Sequence, residues 1–88
     1  MANHKSAAKR ARQAERRHAR GRAVRSEVRT RVKAVRSAVQ AGDAAQALER
    51  LRAAERSLRQ AASKGVVKKS TASRSVSRLS RSVHALQG

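Results

Sequence analysis

Between residues 23 and 41 the large apolar side chains fall at Val24, Val28, Val32, Val35 and Val39. Spacings of 4, 4, 3 and 4 place them on one face of an amphipathic helix, with Arg22, Arg25, Arg29, Lys33 and Arg36 on the neighbouring and opposite arc. Gly42 follows as a C-terminal cap, because glycine enters the left-handed conformation that ends many helices without a steric penalty. Asp43 then reads as the N-cap of a second helix, with Gln46 three residues on as its capping-box partner. This helix is predicted over residues 44–63, with an apolar face of Ala44, Leu48, Leu51, Leu58 and Ala62 and a favourably oriented i, i+4 pair in Glu55 and Arg59. Lys64 and Gly65 end it, and Val66 and Val67 form a short apolar connector expected to tuck under the other elements. Ser70 is the predicted N-cap of a third helix. Its apolar positions are Ala72, Val76, Leu79, Val83 and Leu86, spaced 4, 3, 4 and 3, and its opposite face carries Arg74, Arg78 and Arg81. Five serines between residues 73 and 82 lower its intrinsic helix propensity, so packing must support it. Three amphipathic helices with short connections predict an all-α fold, an antiparallel three-helix bundle over residues 23–88.

Residues 1–22 break this pattern. Apart from Met1 they contain no apolar side chain larger than Ala, yet they are rich in Ala, Arg, Lys and Gln and free of Pro. They read as a helix with nothing to place in a core: an extension of the first helix that protrudes from the bundle within a single-domain chain. Gly21 stands at the junction, where its low propensity is expected to bend or fray the helix.

Charge sharpens the contrast. The 88 residues hold 23 Lys and Arg against 5 Asp and Glu, a formal net charge of +18. Residues 1–22 carry eight cations and one acid, and residues 64–88 carry six cations and none. Residues 42–63 are nearly neutral, with four against three. So high a charge density requires a polyanion nearby, and nucleic acid is the commonest one. Seventeen of the cations are Arg, whose planar fork matches phosphate geometry, although a GC-rich coding sequence would also favour Arg and Ala.

Other features narrow the function further. There is no Cys, hence no disulfide framework or thiolate zinc site. The lack of Phe, Tyr and Trp removes the stacking platform of single-strand binders. His4, His18 and His84 are scattered without metal-ligand spacing, and Glu15, Glu27, Asp43, Glu49 and Glu55 sit among arginines in no catalytic arrangement. No glycine-rich phosphate loop is present. The expectation is a protein that is not an enzyme, with no cofactor, metal or small-molecule substrate. Without a long apolar run or an apolar leader, the expected location is cytoplasmic, with no membrane partner. A membrane-surface role fits poorly, because the basic segment lacks a large apolar face.

The candidate binding residues follow from the charge pattern. Lys5, Lys9, Arg12, Arg16 and Arg20 repeat at 4, 3, 4 and 4 along one face of the arm, with Arg10 and Arg17 elsewhere on the cylinder and Arg22, Arg25 and Arg29 continuing the basic run. Such an arm is suited to phosphates in a nucleic-acid groove, and it should order on binding. Lys64, Lys68 and Lys69, with the stripe Arg74, Arg78 and Arg81, form a second acid-free candidate surface. Arg50, Arg52, Arg56 and Arg59 interleave with Glu49 and Glu55, which favours intrahelical ion pairs there. These residues leave RNA and DNA open, and an architectural DNA-coating protein of the nucleoid type remains the alternative.

Short motifs then carry a resemblance. The opening Met1-Ala2-Asn3-His4-Lys5-Ser6-Ala7-Ala8-Lys9-Arg10, the run Arg25-Ser26 with Arg29-Thr30 and Lys33, the turn Ala41-Gly42-Asp43, the turn Ala61-Ala62-Ser63-Lys64-Gly65-Val66-Val67, and Ala72, Arg74 and Ser77-Arg78-Leu79 occur in register across the chain. Together they resemble the bacterial small-subunit ribosomal protein family S-twenty. The resemblance implies a three-helix bundle with an extended first helix, direct binding of small-subunit ribosomal RNA during particle assembly, and neighbouring ribosomal proteins as further partners. Carried over by position, it implies RNA contacts at Lys5, Ser6, Lys9 and Arg10 in the arm and at Lys64, Lys69, Arg74 and Arg78 beyond the second turn. Lys68 and Ser70 depart from the family's usual His and Asn. Ser75 and Val76 stand where basic residues are common, which implies a weaker grip by the last helix. Gly21 replaces a common Asn.

Overall fold

The computed structural model describes the backbone of residues 3–87 and the side chains of residues 5–87. Met1 and Ala2 of the opening motif and the terminal Gly88 lie outside the described residues, as do the side chains of Asn3 and His4. Three helices follow in order: α1 (Asn3–Gln40), α2 (Ala44–Ser63) and α3 (Lys69–Gln87), with no strand among the described residues. With no Pro anywhere and Ala, Arg, Lys and Gln frequent, nothing in the first forty residues forces a break. Accordingly α1 runs 38 residues without interruption, about 57 Å at the helical rise of 1.5 Å per residue. The helix is not broken at Gly21: Gly21 is helical and buried, and the Arg25 guanidinium folds back over it, so that a Cβ there would lie 3.2 Å from Arg25 Nη2.

Both turns close in the same way. Gly42 has φ +71°; its amide donates to Val39 O at 3.0 Å and the Asp43 amide to Ala38 O at 3.1 Å. Gly65 has φ +74°; its amide donates to Ala62 O at 3.1 Å and the Val66 amide to Ala61 O at 2.9 Å. These paired bonds, with a left-handed glycine, are the Schellman arrangement, which uses carbonyls that a helix end would otherwise leave unpaired. The Asp43 carboxylate accepts from the Gln46 amide at 3.1 Å and so caps α2 as expected. The capping box, however, is only half formed. The Asp43 amide is taken by Ala38 O, so the Gln46 side chain has no amide to return to. Ser70 is not the cap of α3 either. The Ala72 amide donates to Lys68 O at 3.0 Å, which sets Lys68 at the cap position and Ser70 inside the first turn.

The core is small and rich in alanine. Val35, Ala38, Ala47, Leu51, Ala54, Leu58, Ala72, Leu79 and Val83 form one buried cluster, with Val28, Val32, Val39, Leu48, Ala62, Val76 and Leu86 half-buried around it. The valine face of α1 and the predicted face of α3 therefore point inward. The face of α2 needs correction. Its buried residues are Ala47, Leu51, Ala54, Ser57, Leu58 and Ala61, while Ala44, Leu48 and Ala62 lie on the flank. Alanines with no exposure allow α2, which packs against both other helices, to approach them closely. Val66 and Val67 are half-buried, held by amide bonds to Ala61 O. At the other end Gln87 Nε2 donates to Ala44 O at 3.0 Å and ties the last residue of α3 to the start of α2.

α2 is about 30 Å long and runs back along α1, so it reaches only to about the level of Gly21. Below that level α1 is unaccompanied. The molecule measures 67 × 21 × 14 Å, and its radius of gyration is 17.7 Å. A compact chain of this length would have about 12 Å.

Candidate nucleic-acid interface

Every side chain of α1 from Lys5 to Arg20 is exposed except Ala14, which is half-buried. At 100° per residue, Lys5, Lys9, Arg12, Arg16 and Arg20 fall within about 80° of arc. Arg10 and Arg17 stand on another side. Ser6 is exposed on the first turns. Arg22, Arg25 and Arg29 also stay exposed, but on an arc about 150° around the cylinder from the arm stripe. The arm stripe and the stripe of Arg22, Arg25 and Arg29 flank the valine face, and Arg10 and Arg17 lie along the arc of that face itself.

The second group lies where α2 hands over to α3. Lys64 is the C-cap of α2, Lys68 holds the cap position of α3, and Lys69 is its first residue; all three are exposed. By the antiparallel course of α2, this turn stands at the end of the bundle from which the arm emerges. Arg74, Arg78 and Arg81 continue along α3, also exposed. Arg81 shares a shallow groove between α2 and α3 with Arg59, Lys69 and His84, over a floor that includes Ala62 and Val76.

Two helix starts carry the wrong charge for their own dipoles. The first turns of α1 and α3 contain no acid. Lys5 lies near the start of α1, and Lys68 and Lys69 lie at the start of α3. A helix N-terminus bears partial positive charge, which cations there make worse and an anion relieves. Both starts are therefore favourable places for a phosphate.

Internal neutralisation is slight. Among the described residues the ion pairs are Glu27–Arg31 at 3.9 Å and Glu55–Arg59 at 2.6 Å, both i, i+4 and with largely exposed cations. Such pairs contribute about 0.3–0.5 kcal/mol each and leave the field of the other cations intact. The Glu55–Arg59 pair is the expected one. Arg50, Arg52 and Arg56 depart from expectation, since none pairs with an acid among the described residues; Arg50 Nη1 instead crosses to α1 and donates to Ala34 O at 3.0 Å. For Arg50 the signal was present in the spacing. The positions three and four residues from Arg50 on α2 hold Ala47, Gln46, Ala53 and Ala54, so no carboxylate was in reach.

Among the described residues no group of His, Cys, Asp and Glu could hold a metal ion, and no helix is long and apolar enough to cross a membrane.

Known proteins resemble this chain along nearly its whole length. A sequence model of the family described as ribosomal protein S20 matches residues 2–84. The chain is 57% identical over 86 residues to the small ribosomal subunit protein bS20 of Geotalea daltonii, covering 98% of this chain and 99% of that one. It is 55% identical, with the same coverage, to the bS20 protein of Geotalea uraniireducens. With the bS20 protein of Helicobacter pylori it shares 53% identity over 83 residues, 94% of this chain and 93% of the relative.

Proposed function

The chain belongs to the ribosomal protein S20 family, and from that premise we propose that it is a structural protein of the small ribosomal subunit that binds small-subunit (16S-type) ribosomal RNA directly and assists assembly of the particle. The observation that carries the reading is the exposed first half of α1, where eight cations face one acid and no large apolar residue is offered to a protein core.

The division of labour follows from that contrast. Residues 1–22 act as the RNA-binding arm, and residues 23–88 form the bundle that positions it. Lys5, Ser6, Lys9, Arg10, Arg12, Arg16, Arg17 and Arg20 take phosphates along the arm, with Arg22, Arg25 and Arg29 on the second stripe. Lys64, Lys68, Lys69, Arg74, Arg78 and Arg81 take a separate RNA segment on the bundle. Two such contacts let the chain bridge RNA helices whose phosphates repel each other. Recognition is of backbone and shape, because duplex RNA keeps its major-groove edges out of reach. The chain performs no catalysis, and its neighbours in the particle include other ribosomal proteins. The DNA-coating alternative has no support among the relatives.

Binding to a transcript of 16S-type RNA, measured across salt concentrations and against a DNA duplex of equal length, tests the proposal. Affinity should fall by orders of magnitude between about 50 and 200 mM salt, as expected when many phosphates are neutralised. RNA should be preferred over DNA. A flat salt response, or equal affinity for both polymers, would overturn it.

A further inference from the structure

The groove between α1 and α2 was not among the surfaces the sequence pointed to. It is lined by Thr30, Arg31, Lys33, Arg36 and Ser37 from α1 and by Arg50 from α2. Four of these six are cations, and no acid is among the groove-lining residues. Among these cations only Arg31 is ion-paired in the described residues, with Glu27 at a long 3.9 Å and half exposed to water.

Arg50 gives the groove a fixed element. Its side chain is partly buried and is held across the helix pair by the bond to Ala34 O at 3.0 Å. That carbonyl lies inside α1 and already belongs to the helix ladder, so Arg50 is not needed to satisfy it. One of five guanidinium donors is used there, and the rest remain available to the groove. An arginine held in place loses little side-chain freedom when it binds a phosphate. Thr30 and Ser37 add hydroxyls; the Thr30 Oγ1–H donates to Ser26 O at 3.0 Å, which leaves its lone pairs as acceptors. Backbone phosphates and ribose hydroxyls require such a mixture of fixed cation, mobile cations and small hydroxyls.

We infer that this α1/α2 groove is a further phosphate-binding surface, occupied in the particle by an RNA strand distinct from those on the arm and on α3. The inference rests on the RNA-binding reading above and adds a place to it. Arg36 lies sixteen residues beyond Arg20, about 24 Å along α1, so RNA following the arm stripe does not reach it; Lys33 and Arg36 instead extend the arc of Arg22, Arg25 and Arg29, and Arg50 from α2 closes that arc into a groove. Charge complementarity selects the occupant: four cations with no acid among the lining residues suit a polyanion backbone.

The test uses the full chain and the 16S-type transcript. In K33Q/R36Q/R50Q the slope of log affinity against log salt should become shallower by about 3, one for each charge removed. R50Q removes the bond to Ala34 O together with the charge, and circular dichroism with thermal unfolding checks that the bundle persists. An unchanged slope in a folded triple variant overturns the inference while leaving RNA binding by the arm intact. Failure of the parent chain to bind RNA at all would instead overturn the function on which it rests. As an independent readout, Ser37→Cys introduces the chain's single thiol for photocrosslinking in reconstituted subunits. Crosslinks to RNA support the inference, and crosslinks to a ribosomal protein alone overturn it.

Discussion

The two halves of α1 share one helix axis and little else. From Val24 to Gln40 a valine face rests on α2 and α3, and Val35 is wholly buried. From Lys5 to Arg20 the helix has no accompanying element, and its side chains, Ala14 apart, are exposed. Intrinsic propensity is not what separates them, since valine is a poorer helix former than the Ala, Arg and Gln of the arm. The bundle half is helical because tertiary contacts hold it despite its valines. The arm is helical on local propensity and on continuity with an already nucleated helix, against the repulsion of its own cations. Core and charge density thus fall at opposite ends: the half with a core carries less charge, and the half with more charge has no core.

Removing residues 1–22 should break this comparison most visibly. The remaining bundle should keep a cooperative thermal transition, while affinity for 16S-type RNA at physiological salt should drop by several orders of magnitude, because up to eight cations are lost. A truncated chain that no longer folds would show that the arm belongs to the core. Leu58→Ala attacks the other end. Leu58 is 3% exposed within the cluster, and its truncation should lower unfolding free energy by about 2–5 kcal/mol, measured by denaturant titration. Asp43→Ala should cost about 1 kcal/mol through the lost cap of α2, with no change in the salt slope of RNA binding. The smallest effect belongs to Gly21→Ala. Helix propensity favours Ala by up to about 1 kcal/mol, and the one close neighbour of the new Cβ is the movable end of Arg25. Slower amide exchange in residues 5–20 of the free protein, with an unchanged bundle midpoint, is the expected outcome.

Much of this architecture could be read from spacing. The helix ends at Gly42 and Gly65, the Asp43 cap and the Glu55–Arg59 pair all follow from local rules acting within four or five residues, and each is found in the structure. Readings that depended on which neighbour arrives first did not survive. The capping box failed because a carbonyl from the preceding turn took the Asp43 amide, and Ser70 lost the cap position to Lys68. The buried face of α2 is rotated from the one its leucines predict: leucines signal burial by size, but Ala47, Ala54 and Ala61 are buried because small residues permit close helix contact. The candidate interface was visible as charge, with every charged member exposed, and its stripes on α1 follow from residue spacing, yet the sequence could not place Arg50 across a groove.

The sequence by itself determined that three amphipathic segments form helices, where the turns between them fall, and that residues 1–22 have nothing to bury. These are consequences of period, propensity and composition, all local or additive. Only the tertiary structure decided how far α2 reaches along α1, and therefore where the arm begins. It also decided which alanines make the core and which cations share a surface. Those outcomes depend on helix lengths and rotations taken together, because a side chain three turns away in one helix becomes a neighbour only when a second helix lies beside it.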